Sequence, residues 1–212
     1  MKKLNWILRE ILYRVYEQNE YFMSQKSLTK SCGVSMETVN RLVSRLYMFR
    51  SIEKKPLGFR VVSPMKVLAY WSCTRNITKD IVYSTYAPES VTTLEKDLYA
   101  GSILTAFTGY RLKFNETPEP YEEVYVYGDP KDISRKFKES DTGEKNLFVL
   151  RTDPHLKKVS KDNAPPLAQI YADLWQVGGP SADKLLLELE KKLESKSVDV
   201  LKSLLQPLEG TK

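Results

Sequence analysis

Leu4, Ile7, Leu8, Ile11, Leu12 and Val15 recur at alternating spacings of three and one, which lays one apolar stripe along an amphipathic helix. Asn19-Glu20 breaks the pattern. A second, short helix is predicted over residues 25–32, with Ser24 as its cap and Leu28 turned inward. Gly33 follows, where a tight turn calls for a residue tolerant of positive φ. Val34 restores an apolar contact, and Ser35 caps a third predicted helix over residues 36–50. Its apolar side carries Met36, Val39, Leu42, Val43, Leu46 and Phe49; its polar side carries Glu37, Thr38, Asn40, Arg41, Ser44 and Arg45. Two short β-prone runs then flank Pro56-Leu57-Gly58, the signature of a small hairpin.

Ser63-Pro64 marks a boundary. Pro64 starts a helix with Val67, Leu68 and Trp71 at core spacing, ending near Asn76 and read as a linker. Beyond it, residues 81–87, 124–129 and 146–153 read as strands, the second an alternating one. Helices are predicted from Pro88 to about Tyr99 and over residues 132–140, 165–177 and 181–195, and residues 138–146 read as a mobile loop. The last helix bears a stripe of Leu185, Leu186, Leu189 and Leu193, continued by Val198, Leu201 and Leu205. The fold class expected is α+β: a winged helix-turn-helix over residues 1–62, then a mixed α/β domain over residues 63–212 with a small sheet and C-terminal helices.

Charge sharpens the picture. The net charge of the 212 residues is +6, yet residues 1–62 hold twelve Lys/Arg against five acids, so the remainder is slightly acidic. A polyanion partner is therefore expected for the first segment only. No apolar run is long enough to span a membrane, and Arg9, Glu10 and Arg14 interrupt the N-terminal stretch that would otherwise resemble a signal peptide. Cys32 and Cys73 lack metal-ligand spacing and read as two buried thiols of a cytoplasmic protein. The single histidine, His155, leaves little material for a histidine-based triad or zinc site.

The order helix, helix, glycine turn, helix, hairpin suits double-stranded DNA. A third helix fits the major groove with its polar side chains toward base edges, while the hairpin follows the backbone. Arg41 and Arg45 suit guanine or phosphate, Asn40 suits adenine, and Ser35, Thr38 and Ser44 suit phosphate or base. Lys54, Lys55 and Arg60 would neutralise phosphates from the hairpin. A winged helix used only for protein contact is the blander alternative. The rival is a nucleic-acid-processing enzyme of nucleotidyltransferase or nuclease type, which needs Asp129, Asp132 and either Asp153 or Asp173 to converge on a metal. Turn and helix-cap roles account better for these four acids, and neither standard glycine-rich phosphate loop occurs, so no catalytic site, metal or cofactor is expected. Tyr125 and Tyr127 share a strand face that could stack bases, though packing under a helix is the commoner outcome for such a pair.

At residues 165–193, PPLAQIYADLWQVGGPSADKLLLELEKKL, the chain resembles the AbiEi-type antitoxin family of transcriptional regulators. Gln169, Tyr171, Asp173, Leu174, Gly178 and Gly179 match its Q-x-Y-x-D-L run and double glycine, and the Thr108-Gly109 pair and the VYVYGD strand fall where relatives have similar elements. Where many relatives have arginine after the double glycine, this chain has Pro180. The resemblance implies operator binding and autorepression in a type IV toxin–antitoxin system, linked in function, and not necessarily in contact, to a nucleotidyltransferase toxin. Two copies on a repeated operator are expected; the C-terminal leucine stripe is the candidate homodimer contact, though packing on its own domain is the commoner role for such a stripe.

Overall fold

Helix α1 (Lys3–Gln18) is amphipathic as its periodicity requires, but it is surrounded and not merely seated on a core. Ile7, Leu8, Ile11 and Leu12 have no accessible surface, each burial worth roughly 1.5–3 kcal/mol. In this computed structural model, residues 3–116, 119–140 and 142–205 are described, with side chains described to residue 195. Ten helices and two small sheets among them make an α+β fold.

The first unit follows α1 with β1 (Phe22–Met23), α2 (Gln25–Cys32), α3 (Met36–Met48), β2 (Ile52–Lys55) and β3 (Gly58–Val61). Both interior helices start as their sequences dictate. Ser24 accepts from Ser27 N at the head of α2, and Ser35 accepts from Thr38 N at the head of α3. Gly33, at φ 61°, ends α2 in the left-handed conformation. The sheet order β1-β3-β2 is antiparallel throughout, with Phe22 opposite Arg60 and Met23 opposite Phe59. The alternation pattern gave no sign of β1, which is too short to carry one. Val39, Leu42, Val43 and Leu46 are buried as expected, whereas Met36 and Phe49, expected inside, stand at the first residue and the C-cap of α3 and are 46% and 52% exposed.

Helix α4 (Pro64–Thr74) is not a linker. Val67, Leu68 and Trp71 have no accessible surface, because the helix packs on both α1 and α9. After a 3-10 turn come β4 (Ile81–Thr85), α5 (Val91–Leu98), β5 (Ile103–Thr105), α6 (Ala106–Phe114), β6 (Val124–Gly128), α7 (Pro130–Lys136), β7 (Leu147–Arg151), α8 (Pro154–Val159), α9 (Leu167–Val177) and α10 (Gly179–Leu205). Helix α5 begins after the Ser90 cap and not at Pro88, while β5, α6 and α8 were not anticipated. The second sheet runs β4-β7-β6-β5, with β6 and β7 parallel and joined through α7.

Strand β6 explains its own alternation. Val124 and Val126 face a core shared with Leu94, Leu104, Ile133 and Val149, and Tyr125 and Tyr127 face the main core. The pattern separates two buried environments, not core from solvent. The main core is continuous from α1 through α4 to α9 and α10, so the apolar interior does not divide where the hairpin ends. Among the described residues no helix is long and apolar enough to cross a membrane.

Candidate nucleic-acid interface

The capped helix α3 sets its exposed side chains at intervals of three and four: Glu37, Asn40, Arg41, Ser44 and Arg45 all face solvent. Arg41 makes no ion pair among the described residues, and Arg45 reaches Tyr70 Oη on α4 at 3.4 Å. Ser35 and Thr38 share a hydroxyl hydrogen bond of 2.9 Å, so both serve the helix start as well as facing outward. The hairpin presents Lys54, Lys55 and Arg60, all exposed. Lys54 Nζ stands 4.6 Å above the Tyr47 ring, which leans the hairpin on α3, and Lys55 meets Glu53 at 3.1 Å in a pair that solvent weakens.

Between α3 and the hairpin runs an open groove. Asn40 and Met36 line one wall, Lys54, Lys55 and Leu57 the other, and Ser24, Gln25 and Lys26 at the N-terminus of α2 close one end. Cationic side chains, an amide and the positive end of a helix suit a polyanionic strand. The structure thus brings Asn40, Lys54 and Lys55 to one groove and places Arg41, Ser44, Arg45 and Arg60 on the exposed surfaces beside it.

No protein-family model, curated protein or solved structure matches this chain.

The buried polar groups play a different part. Arg9 is fully buried and grips Asp153 with two bonds, Nη1 to Oδ1 at 2.9 Å and Nη2 to Oδ2 at 3.0 Å, while Nε donates to Gln169 Oε1 at 2.7 Å. Gln169 passes the network on, donating to Tyr127 Oη at 3.0 Å and Asp173 Oδ1 at 2.9 Å. Asp173 also accepts from Arg75 Nε at 2.6 Å, Thr105 at 2.7 Å and Tyr127 at 2.7 Å, which fills all four of its lone-pair positions. Burial works against the charge on Arg75, but the Asp173 carboxylate more than offsets it and holds the pKa above the usual arginine value. Two residues of the Q-x-Y-x-D-L run, Gln169 and Asp173, are thus the centre of this buried network. Tyr171 of the same run donates to Glu190 on α10.

His155 joins α8 to α1. Arg9 Nη1 lies 3.1 Å from His155 Nδ1, and since arginine only donates, Nδ1 accepts and Nε2 carries the proton given to Glu10 Oε2 at 2.8 Å. Burial pushes the Glu10 carboxyl up, yet the hydrogen bonds from His155 and Arg14 outweigh it and bring the pKa down to about 2. Asp153 is likewise held below its ordinary range: burial opposes, and Arg9 prevails.

Two expectations need correction, on α1 and at Cys73, and of the two roles open to the leucine stripe the structure shows packing within the chain. Arg9, Glu10 and Arg14 are buried rather than solvated, because α8, α9 and α2 close over the polar side of α1. Arg9 and Arg14 therefore add nothing to a phosphate-binding surface. Leu185, Leu186, Leu189 and Leu193 are buried in the chain's own core and so do not form an exposed contact for a second copy, while the side chains of Val198, Leu201 and Leu205 lie outside the described residues. Cys32 is buried, and burial, reinforced by Glu10, pushes its thiol up to about 12, but Cys73 is exposed.

The four acids do not converge. Asp129 and Asp153 cap α7 and α8, Asp132 faces solvent beside Arg135, and Asp173 is enclosed by the network just described. Among the described residues no three His, Cys, Asp or Glu side chains form a metal-binding cluster. Tyr125 stacks on Phe148 with ring centres 4.7 Å apart, and Tyr127 is enclosed, so neither offers a face to a base. At the start of the segment read as a loop, Thr85 Oγ1 on β4 donates to Lys138 O at 2.9 Å.

The charge network was missed because polar residues at helical spacing read as a solvent face. The Glu10–Arg14 spacing of four and the Gln169–Asp173 spacing of four were the available signals, each placing two partners on one helix face.

Proposed function

We propose that this chain is a sequence-specific, double-stranded DNA-binding transcriptional regulator. It sets α3 in the major groove and the β2–β3 hairpin against the adjoining backbone, in the manner of a winged helix-turn-helix. The observation that carries this reading is the groove between α3 and the hairpin, whose lining among the described residues includes Asn40, Lys54 and Lys55 and no carboxylate. Arg41 and Arg60, exposed and without an ion pair among the described residues, add base-reading and phosphate-binding donors beside it. The sequence resemblance at Gln169 to Gly179 extends the reading to an autorepressing, cytoplasmic antitoxin that acts against a nucleotidyltransferase toxin by function and not necessarily by contact. Two copies on a repeated operator follow from the small footprint of one such unit.

The test is affinity for the chain's own upstream DNA against random duplex, across a salt series. Tighter binding to the upstream duplex is expected, with a steep fall as salt rises and the entropy gained by releasing counterions shrinks. Equal affinity for both duplexes at every salt concentration would remove the claim of specificity.

A further inference from the structure

Leu57 is the most exposed large apolar side chain among the described residues, at 93%. It occupies the hairpin tip: Lys55 and Gly58 pair across the strand ends, leaving Pro56-Leu57 as the loop. Its φ is 66°, in the left-handed region that a bulky side chain enters only under strain. After a proline, a turn of this shape is normally relieved by glycine or asparagine at that position. The neighbouring glycine cannot supply the relief, because it is needed where it stands. A Cβ on Gly58 would meet the Met23 carbonyl oxygen at 2.3 Å, where β3 pairs with β1. Leu57 therefore buries nothing in the fold and strains the turn it occupies, so packing and turn chemistry both leave it unexplained.

The groove supplies a reason. Leu57 and Lys55 form one wall, and Asn40 on α3 forms the other. A sugar-phosphate strand lying in that groove has α3 on one side and the hairpin tip on the other. In duplex DNA the two sides of a single strand are the major and the minor groove. Only the major groove is wide enough for a helix, so with α3 there, the hairpin tip is directed at the minor groove.

We propose that Leu57 is an apolar wedge that enters the minor groove and parts a base step, bending the DNA while Lys54 and Lys55 hold the flanking phosphates. The proposal rests on the DNA-binding reading above and adds a specificity element to it. Pyrimidine–purine steps unstack most easily, so Leu57 selects for one of them beside the bases read by α3, through deformability and not through hydrogen bonds.

The experiment uses the full chain and duplexes that the wild-type protein enriches from a random-sequence pool. Bending is read by energy transfer between dyes at the duplex ends, and unstacking by the fluorescence of an aminopurine at the flanking step. Wild type is expected to bend the duplex by ~20° or more and to brighten the aminopurine. Leu57→Gly relieves the turn, so its thermal midpoint should equal or exceed that of wild type, while the bend, the fluorescence rise and the step preference are lost. Leu57→Lys should tighten binding to every duplex alike without restoring the bend, which separates a wedge from a simple phosphate contact. If Leu57→Gly bends DNA and enriches the same step as wild type, the wedge is wrong and the DNA-binding reading survives. If wild type enriches no sequence and binds no duplex at low salt, both readings fall together.

Discussion

Arg75 and Arg41 are the same residue type on neighbouring parts of one fold, in opposite circumstances. Arg75 has no exposed side-chain surface and bonds to Asp173, Asp80 and Tyr127. Arg41 is exposed and makes no ion pair among the described residues. The first is bound by geometry to its partners, and its removal would strand buried carboxylates. The second has no side-chain partner among the described residues, so its five donors face solvent. Charge counted along the chain treats the two alike, but only the second kind can meet a polyanion.

The comparison breaks most readily at Arg9. Arg9→Met should destabilise the protein by about 3–5 kcal/mol, since Asp153 and Gln169 lose their partner without leaving the core. Denaturant unfolding measures it, and a loss below about 1 kcal/mol would mean that the network is structurally idle. Acid should act in the same region. Glu10 has its folded pKa lowered from 4.5 to about 2, so its stabilisation is full above the unfolded value and is lost as pH falls from 4.5 towards 2. The expected loss is on the order of 3 kcal/mol, with Asp153 adding in the same direction. Unfolding midpoints that stay flat over that window would contradict the assignment.

On the exposed side the effects are smaller and move to binding. Arg41→Ala should cost about 1–3 kcal/mol of DNA affinity and relax base preference, with folding stability changed by no more than about 0.5 kcal/mol. A stability loss comparable to that of Arg9→Met would erase the distinction between the two regions. Lys54→Ala with Lys55→Ala should weaken all sequences equally and lower the salt slope by roughly 2, read from affinities over a salt series. Least of all, an alkylating reagent should label Cys73 in the native state and spare Cys32, whose buried thiol sits at about 12. Mass spectrometry after brief exposure distinguishes the two.

Much of the candidate interface was legible in the sequence because it is built from short-range rules. Ser24, Gly33 and Ser35 mark helix ends through bonds to residues within five positions, and Val39, Leu42, Val43 and Leu46 declare the buried side of α3 by spacing alone. Its opposite face, with Asn40, Arg41, Ser44 and Arg45, follows from the same period. Phe22-Met23 could not be read as a strand, because two residues hold no alternation and β1 exists only where β3 offers an edge. The alternation of β6 marked a strand, and the packing expected of Tyr125 and Tyr127 is what the main core shows, but the second buried environment on the Val124–Val126 side depends on elements far along the chain.

What the sequence alone determined is therefore local: the caps, the turn at Gly33, the hairpin, and the polar face of α3, each set by neighbours a few residues away. What only the tertiary structure decided is which polar groups remain available. Arg9 lies 144 residues from Asp153 along the chain, and Arg75 lies 98 from Asp173. A helical period shows which side of α1 is polar, but not that α8 and α9 will close over it. Burial of a charge is settled by the partner that arrives across the fold, since without that partner desolvation would keep the charge in water.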